Sequence, residues 1–83
     1  MAKSLEDRVR RVTAAVLKID PAVIRPESRF AADLGAESIQ SVELVAAFEE
    51  EFDLTLDEDE ALSTETVGAA VTCIARQLAA ESE

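Results

Sequence analysis

Ser38 is the side chain whose type and surroundings suggest chemistry most directly, within the stretch DLGAESIQSVEL that begins at Asp33. It follows a glycine turn at Gly35 and precedes an apolar, acidic run. Two interpretations are open, because serine is a preferred helix N-cap and is also a site of modification. At a helix N-terminus its hydroxyl is exposed to an outside enzyme. A phosphodiester attached there would face free backbone N–H groups and the positive end of the helix dipole.

Catalytic and metal sites are not predicted. The chain has no histidine, no tyrosine and one cysteine, so a nucleophile would have no base to activate it. The acidic run that starts at Asp57 fails as a calcium loop, because Leu62 occupies the sixth position, where such a loop needs glycine. Cys73 is expected to be a partly covered filler residue rather than a reactive thiol. A lone cysteine forms no internal disulfide, which favours a reducing, cytoplasmic setting.

The charge is distributed unevenly along the chain. The net charge is −10, and it divides into +3 over residues 1–29 and −13 over residues 30–83. Twelve carboxylates and no basic residue lie between Asp33 and Glu65. Such a field repels nucleic acid and anionic lipid and attracts basic protein surfaces. No apolar run is long enough to span a membrane, and the N-terminus has no apolar signal core, so neither stable membrane insertion nor export is predicted.

The first helix is expected to begin after Ser4, with Asp7 completing a capping box. Its apolar residues recur at helical spacing and are Leu5, Val9, Val12, Val16 and Ile19. Pro21 is expected to end it. Residues 20–36 then form a long loop, with Phe30 and Leu34 as its anchors.

The second helix is predicted over 38–52 and has two apolar faces. The core face contains Leu44, Val45, Phe48 and Phe52. The opposite face mixes Ile39, Val42 and Ala46 with Glu43, Glu49 and Glu50. An apolar strip edged by carboxylates is typical of a docking surface for a partner with basic and apolar groups. The alternative is that Ile39 or Val42 packs beneath the long loop as ordinary core.

Two further helices complete the prediction. A short one covers residues 57–62, where acidic side chains suit the helix dipole. A last one begins near Ser63 or Thr64 and runs to about Ala79, with an apolar stripe formed by Val67, Ala70, Val71, Ile74 and Leu78. The expected fold is an all-α four-helix bundle of three main helices plus one short helix, in a single domain over residues 1–83.

The stretch DLGAESIQSVELVAAFEEEFDLTL resembles the central segment of acyl carrier proteins. In that family D-L-G-x-D-S-L is followed by V-E-L and an acidic run ending in E-E-E-F. The likeness covers nearly the whole chain and includes the amphipathic first helix and the long loop with Phe30. It implies that Ser38 takes 4′-phosphopantetheine from coenzyme A, installed by a separate phosphopantetheinyl transferase that uses magnesium.

The same resemblance implies a carrier rather than a catalyst. The thiol of the arm would hold acyl groups as thioesters and deliver them to acyl-transferring or condensing enzymes, with the protein acting as a monomer. The residues implied to line an acyl pocket are Leu44, Val45, Phe48, Leu56, Leu62 and Val67. The residues implied to meet basic grooves on partner enzymes are Glu37, Ile39, Val42, Glu43, Ala46, Glu49 and Glu50.

Four positions depart from the family pattern. Glu37 and Ile39 flank the serine where aspartate and leucine are usual, Ala46 is small, and Asp57 replaces a common proline. Fatty-acid, polyketide and specialised lipid pathways therefore all stay open. An alternative from another class is an unmodified acidic helical adaptor that binds basic partner proteins.

Overall fold

The computed structural model describes residues 4–81, and this part of the chain contains four α-helices. They are α1 (Leu5–Leu17), α2 (Ser38–Phe52), α3 (Glu58–Leu62) and α4 (Val67–Glu81), and a 3₁₀ turn covers Pro21–Val23. The prediction of an all-α fold with three main helices and one short helix is confirmed. The bounds of α2 agree with those predicted. None of the helices described is long and apolar enough to cross a membrane.

The first helix begins as predicted but ends earlier. The hydroxyl of Ser4 accepts a hydrogen bond from the N–H of Asp7 at 3.1 Å, whereas the Asp7 carboxylate accepts from the guanidinium of Arg10 instead of reaching back. Lys18 adopts a left-handed conformation with φ 58° and ends the helix. The prediction that Pro21 ends α1 is therefore wrong, and Pro21 instead begins the 3₁₀ turn.

The start of α4 also differs from the prediction. Thr66 is the residue whose hydroxyl accepts from a helical N–H, that of Ala69, at 3.1 Å. The hydroxyls of Ser63 and Thr64 instead donate to the carbonyls of Glu60 and Ala61, each at 2.7 Å. Those two side chains close α3 rather than opening α4. A hydroxyl residue in a linker can serve either helix, and the sequence does not distinguish the two roles.

A set of backbone hydrogen bonds, which we call the loop clamp, joins residues 26–30 to residues 65–68. The N–H of Phe30 donates to the carbonyl of Glu65 at 3.0 Å, and the N–H of Val67 donates to that of Ser28 at 2.9 Å. The N–H of Gly68 donates to the carbonyl of Pro26 at 2.7 Å. A Cβ atom on residue 68 would lie 3.0 Å from that carbonyl oxygen, so glycine allows this close approach.

The core lies where α1, α2 and α4 meet. Val9, Val67 and Ile74 are almost fully buried at its centre. Phe30 is buried as predicted, Leu34 is half-buried, and Ile24 is a further buried residue of the long loop. At the edge, the guanidinium of Arg8 lies 4.4 Å from the ring centre of Phe52 and donates to Glu51, which ties α1 to α2.

Candidate functional site

Ser38 is exposed and is the first residue within α2. Glu37 occupies the N-cap position, and its N–H donates to the side-chain oxygen of Gln40 at 2.9 Å. The interpretation of Ser38 as the N-cap is therefore wrong. Because its hydroxyl is not needed to begin the helix, it is available for other chemistry at the positive end of the helix dipole.

The turn before Ser38 is held by an ion pair. The backbone N–H of Arg29 donates to the carboxylate of Asp33 at 2.8 Å, and the Arg29 guanidinium lies 3.3 Å from it. These contacts hold the pKa of Asp33 below its ordinary value, with the backbone hydrogen bond as the main cause. Gly35 follows with φ 73°, a conformation that favours glycine. The chain thus reaches Ser38 through a fixed turn.

The outer face of α2 is open to solvent. Ile39 is 70% exposed and Val42 is 52% exposed, so the alternative in which they pack beneath the long loop is wrong. The remaining exposed members of this face are Glu37, Glu43, Ala46 and Glu50. Among residues 4–81 the carboxylate of Glu43 has no hydrogen-bond partner, so its full charge faces solvent. An apolar strip with unpaired carboxylates lies on this side of the helix.

Glu49 differs from the other acidic residues of that face. It is only half-exposed, and its carboxylate accepts a hydrogen bond from the N–H of Leu56 at 2.8 Å. Leu56 lies on the connection between α2 and α3, so this contact holds the connection against the end of α2. Glu49 therefore has a structural role that the sequence pattern did not reveal.

A narrow cavity of about 40 Å³ lies between α2, α3 and α4. Its apolar lining comes from Phe30, Leu44, Val45, Phe48, Leu56, Ala61, Leu62, Ala70 and Ile74. Five of the six residues predicted to line an acyl pocket are among them. Val67 is not, because it is buried in the core at 1% exposure, away from the cavity wall.

The cavity wall also has three polar members, Ser41, Thr64 and Cys73, which the sequence reasoning did not assign to it. Ser41 is detectable from the sequence in retrospect, because it precedes Leu44 by three residues and so shares its helical face. Thr64 and Cys73 are brought to the cavity by packing of α3 against α4. No periodicity in the sequence shows that arrangement.

Cys73 is buried, and its sulfur lies 3.9 Å from the carboxylate of Glu60. Burial raises the pKa of the Cys73 thiol, and the negative charge of Glu60 raises it further. Because the thiolate is the reactive form, this environment disfavours reaction at Cys73. The prediction of a covered filler residue agrees with this environment.

In the protein without phosphopantetheine, Cys73 is expected to react with iodoacetamide at least about tenfold more slowly than the same thiol in denaturant, because burial and Glu60 both disfavour the thiolate. Intact mass spectrometry against time measures both rates. The Cys73→Ser variant is the blank. Equal rates in native and denaturing buffer would contradict this prediction.

Comparison with known proteins places these features in context. A family model described as "Phosphopantetheine attachment site" matches residues 7–74. An acyl carrier protein from Picosynechococcus is 41% identical over 80 residues, covering 96% of this chain and 99% of the relative. Acyl carrier proteins from Phenylobacterium zucineum and Caulobacter vibrioides are 45% and 44% identical, each covering 94% of the relative and 89% and 88% of this chain.

A small all-α bundle with an exposed serine at the start of α2 and a cavity between α2, α3 and α4 fits a helical carrier domain. The chain belongs to the acyl carrier protein family. It is a carrier and not a catalyst, and it bears covalently attached 4′-phosphopantetheine. The thiol of the phosphopantetheine group holds acyl groups, and the protein interacts with a phosphopantetheinyl transferase and with biosynthetic enzymes.

Proposed function

We propose that Ser38 is the residue that carries phosphopantetheine. The observation that supports this most strongly is the exposed Ser38 hydroxyl in the first turn of α2. The hydroxyl oxygen would attack the phosphorus that bears pantetheine in coenzyme A. The bond between the two phosphates of coenzyme A breaks, the adenosine bisphosphate leaves, and the serine proton passes to a base on the transferase. The new phosphodiester suits the positive end of α2.

We propose that the cavity receives the acyl chain. Its lining by Leu44, Val45, Phe48, Leu56 and Leu62 supports this, because apolar side chains favour the removal of methylene groups from water. The volume of about 40 Å³ is only a few times what one water molecule needs, about 10–15 Å³. A chain must therefore widen the space. The helix α3 is the wall that yields, because none of its residues is fully buried.

The outer face of α2 is the surface we propose for docking to enzymes with basic surfaces. Exposed Ile39 and Val42 would supply apolar contact, and Glu43 and Glu50 would supply charge. Glu37 and Ala46 lie on the same exposed face. Glu49 contributes charge and also holds Leu56, so its substitution would affect docking and structure together.

We further propose that the chain forms one carrier domain that acts as a monomer in the cytoplasm. A single free cysteine, Cys73, suits a reducing compartment. A monomer leaves the exposed face of α2 free for successive enzymes.

The test of the carrier site is uptake of one phosphopantetheine group. Apo protein is incubated with coenzyme A, magnesium and a broad-specificity phosphopantetheinyl transferase, and intact mass is followed. One added group is expected, and fragmentation should locate it on Ser38. No uptake with several transferases, or a group located elsewhere, would overturn the proposal.

Glu43→Lys is expected to lower kcat/KM of the transferase for the apo protein about fivefold to tenfold at low salt. A rim charge acts mainly on association, so the effect should shrink as salt screens it. Initial rates of phosphopantetheine uptake at two salt concentrations measure this.

The matched control for Glu43→Lys is Glu27→Lys, which makes the same charge change at an exposed position outside α2. It should leave kcat/KM nearly unchanged. An equal loss in both variants would show that net charge, rather than the α2 face, determines docking.

A further inference from the structure

The polar part of the cavity wall has hydrogen-bonding capacity that an alkyl chain would not use. Ser41 on α2 and Thr64 after α3 are half-buried, and each brings a hydroxyl to a wall that is otherwise almost wholly apolar. A hydroxyl has one proton to donate and two lone pairs that accept. The existing contacts of these two groups determine what each still offers to cargo.

The hydroxyl of Thr64 has already used its proton. It donates to the carbonyl of Ala61 at 2.7 Å, a length typical of a strong O–H···O hydrogen bond. Its lone pairs remain, so Thr64 offers an acceptor to whatever enters the cavity. The matching group on a cargo molecule is a donor.

The hydroxyl of Ser41 is held much more weakly. Its contact with the carbonyl of Glu37 is 3.5 Å long, at the outer limit for a hydrogen bond. Ser41 can therefore turn its proton to another acceptor at little cost. It also lies three residues after Ser38, close to the first turn of α2, from which the cargo would enter.

Resting on the proposed function of Ser38, we propose that this carrier prefers acyl groups that bear a hydroxyl near the thioester. A cargo hydroxyl matches both groups chemically, because it can accept from Ser41 and donate to Thr64. A keto oxygen can only accept, and an alkyl chain does neither, so with an alkyl chain Thr64 keeps only its bond to Ala61 and Ser41 only its long contact with Glu37. The hydroxyacyl group is therefore the class of cargo that satisfies both side chains.

The experiment compares two cargoes of equal length. The apo protein is loaded by a broad transferase from hexanoyl-coenzyme A or 3-hydroxyhexanoyl-coenzyme A, and thioester cleavage by hydroxylamine is followed by intact mass. Each rate is divided by that of the same acyl group on coenzyme A, which removes intrinsic reactivity. Because Ser41 only exchanges its contact with Glu37 for one with the cargo, the net gain is about one hydrogen bond, or about 0.5–1.5 kcal/mol. We therefore expect the 3-hydroxy group to be protected about threefold to tenfold more than the hexanoyl group.

Four variants separate this inference from a general effect on folding. Ser41→Ala and Thr64→Val should each reduce the preference, whereas Thr64→Ser, which keeps the hydroxyl, should retain it. Ser63→Ala is the matched control, because Ser63 makes the same 2.7 Å bond to a carbonyl but lies outside the cavity wall. Its preference should equal that of the unchanged protein.

Failure of the inference is distinguishable from failure of the carrier site. If neither cargo is loaded, the proposed role of Ser38 is overturned and the inference with it. If both are loaded and equally protected, or if the preference survives in Ser41→Ala and Thr64→Val, the hydroxyl preference alone is overturned.

Discussion

The Ser38→Ala protein is expected to fold and to accept no phosphopantetheine. The transfer needs an oxygen nucleophile at this position, and alanine has none, so the loss should be complete within the detection limit of intact mass. Ser38 is exposed and is not the N-cap of α2, so the substitution should change the free energy of unfolding of the protein by no more than about 0.5 kcal/mol. Circular dichroism checks that the variant is folded, and urea unfolding measures its free energy of unfolding.

Ser41→Ala is the control that shows whether the loss of phosphopantetheine uptake is specific to Ser38. Ser41 lies on the same helix, three residues further along, and its hydroxyl is the nearest alternative nucleophile in α2. It should accept one phosphopantetheine as the unchanged protein does. Uptake by Ser38→Ala would place the attachment elsewhere, and partner binding that is indifferent to this substitution would favour the unmodified adaptor.

The Ile74→Ala protein is expected to lose about 2–5 kcal/mol of unfolding free energy. Ile74 is 1% exposed and lies where the core meets the cavity, so truncation removes buried surface and enlarges an existing space. A domain of this size has a total stability of about 4–12 kcal/mol, so the loss is a large fraction of the whole. Urea denaturation followed by circular dichroism measures the shift in midpoint.

Ile74→Val keeps the β-branch and removes one methyl group, so it should cost only about 0.5–1.5 kcal/mol. The ratio of the losses of unfolding free energy in Ile74→Ala and Ile74→Val tests whether lost packing causes the destabilisation. A loss below about 1 kcal/mol for Ile74→Ala would mean that the cavity collapses around the smaller side chain, and that the core at this point is less rigid than its burial indicates.

Helical spacing of apolar residues was sufficient to predict the three main helices, and the acidic first turn predicted the short helix α3. Helical spacing failed where a single backbone conformation ended an element. Lys18 ends α1 by adopting a left-handed conformation that lysine rarely takes, so the visible proline downstream was given that role. Thr66 begins α4 because the loop clamp fixes the backbone around it, and that clamp is a contact between distant parts of the sequence.

The candidate site also has features that the sequence could predict and features that it could not. The exposed face of α2 follows from the position of residues on one helix, so it could be predicted. The apolar wall of the cavity comes from several elements, and five of its residues were predicted only through the resemblance to the family. The role of Glu49 could not be predicted, because its partner is the backbone N–H of Leu56, seven residues away across the end of the helix. Ser41 shares the helical face of Leu44, but Thr64 joins it in the polar wall only through the packing of α3 against α4, which no local pattern specifies.

The loop clamp gives the bundle one stiff side and one compliant side. Backbone hydrogen bonds of Ser28, Phe30 and Gly68 fix the long loop against the start of α4. By contrast, α3 is joined to its neighbours through side chains: the Glu60 carboxylate pairs with Arg76 on α4, and the Glu49 carboxylate holds the N–H of Leu56 just before α3. If the cavity receives the acyl chain as proposed, cargo of increasing bulk is expected to deform the molecule at α3 and to leave the turn before Ser38 unchanged. An enzyme that docked on α2 would then meet a constant surface beside Ser38 and, on its far edge, a contour that depends on the cargo.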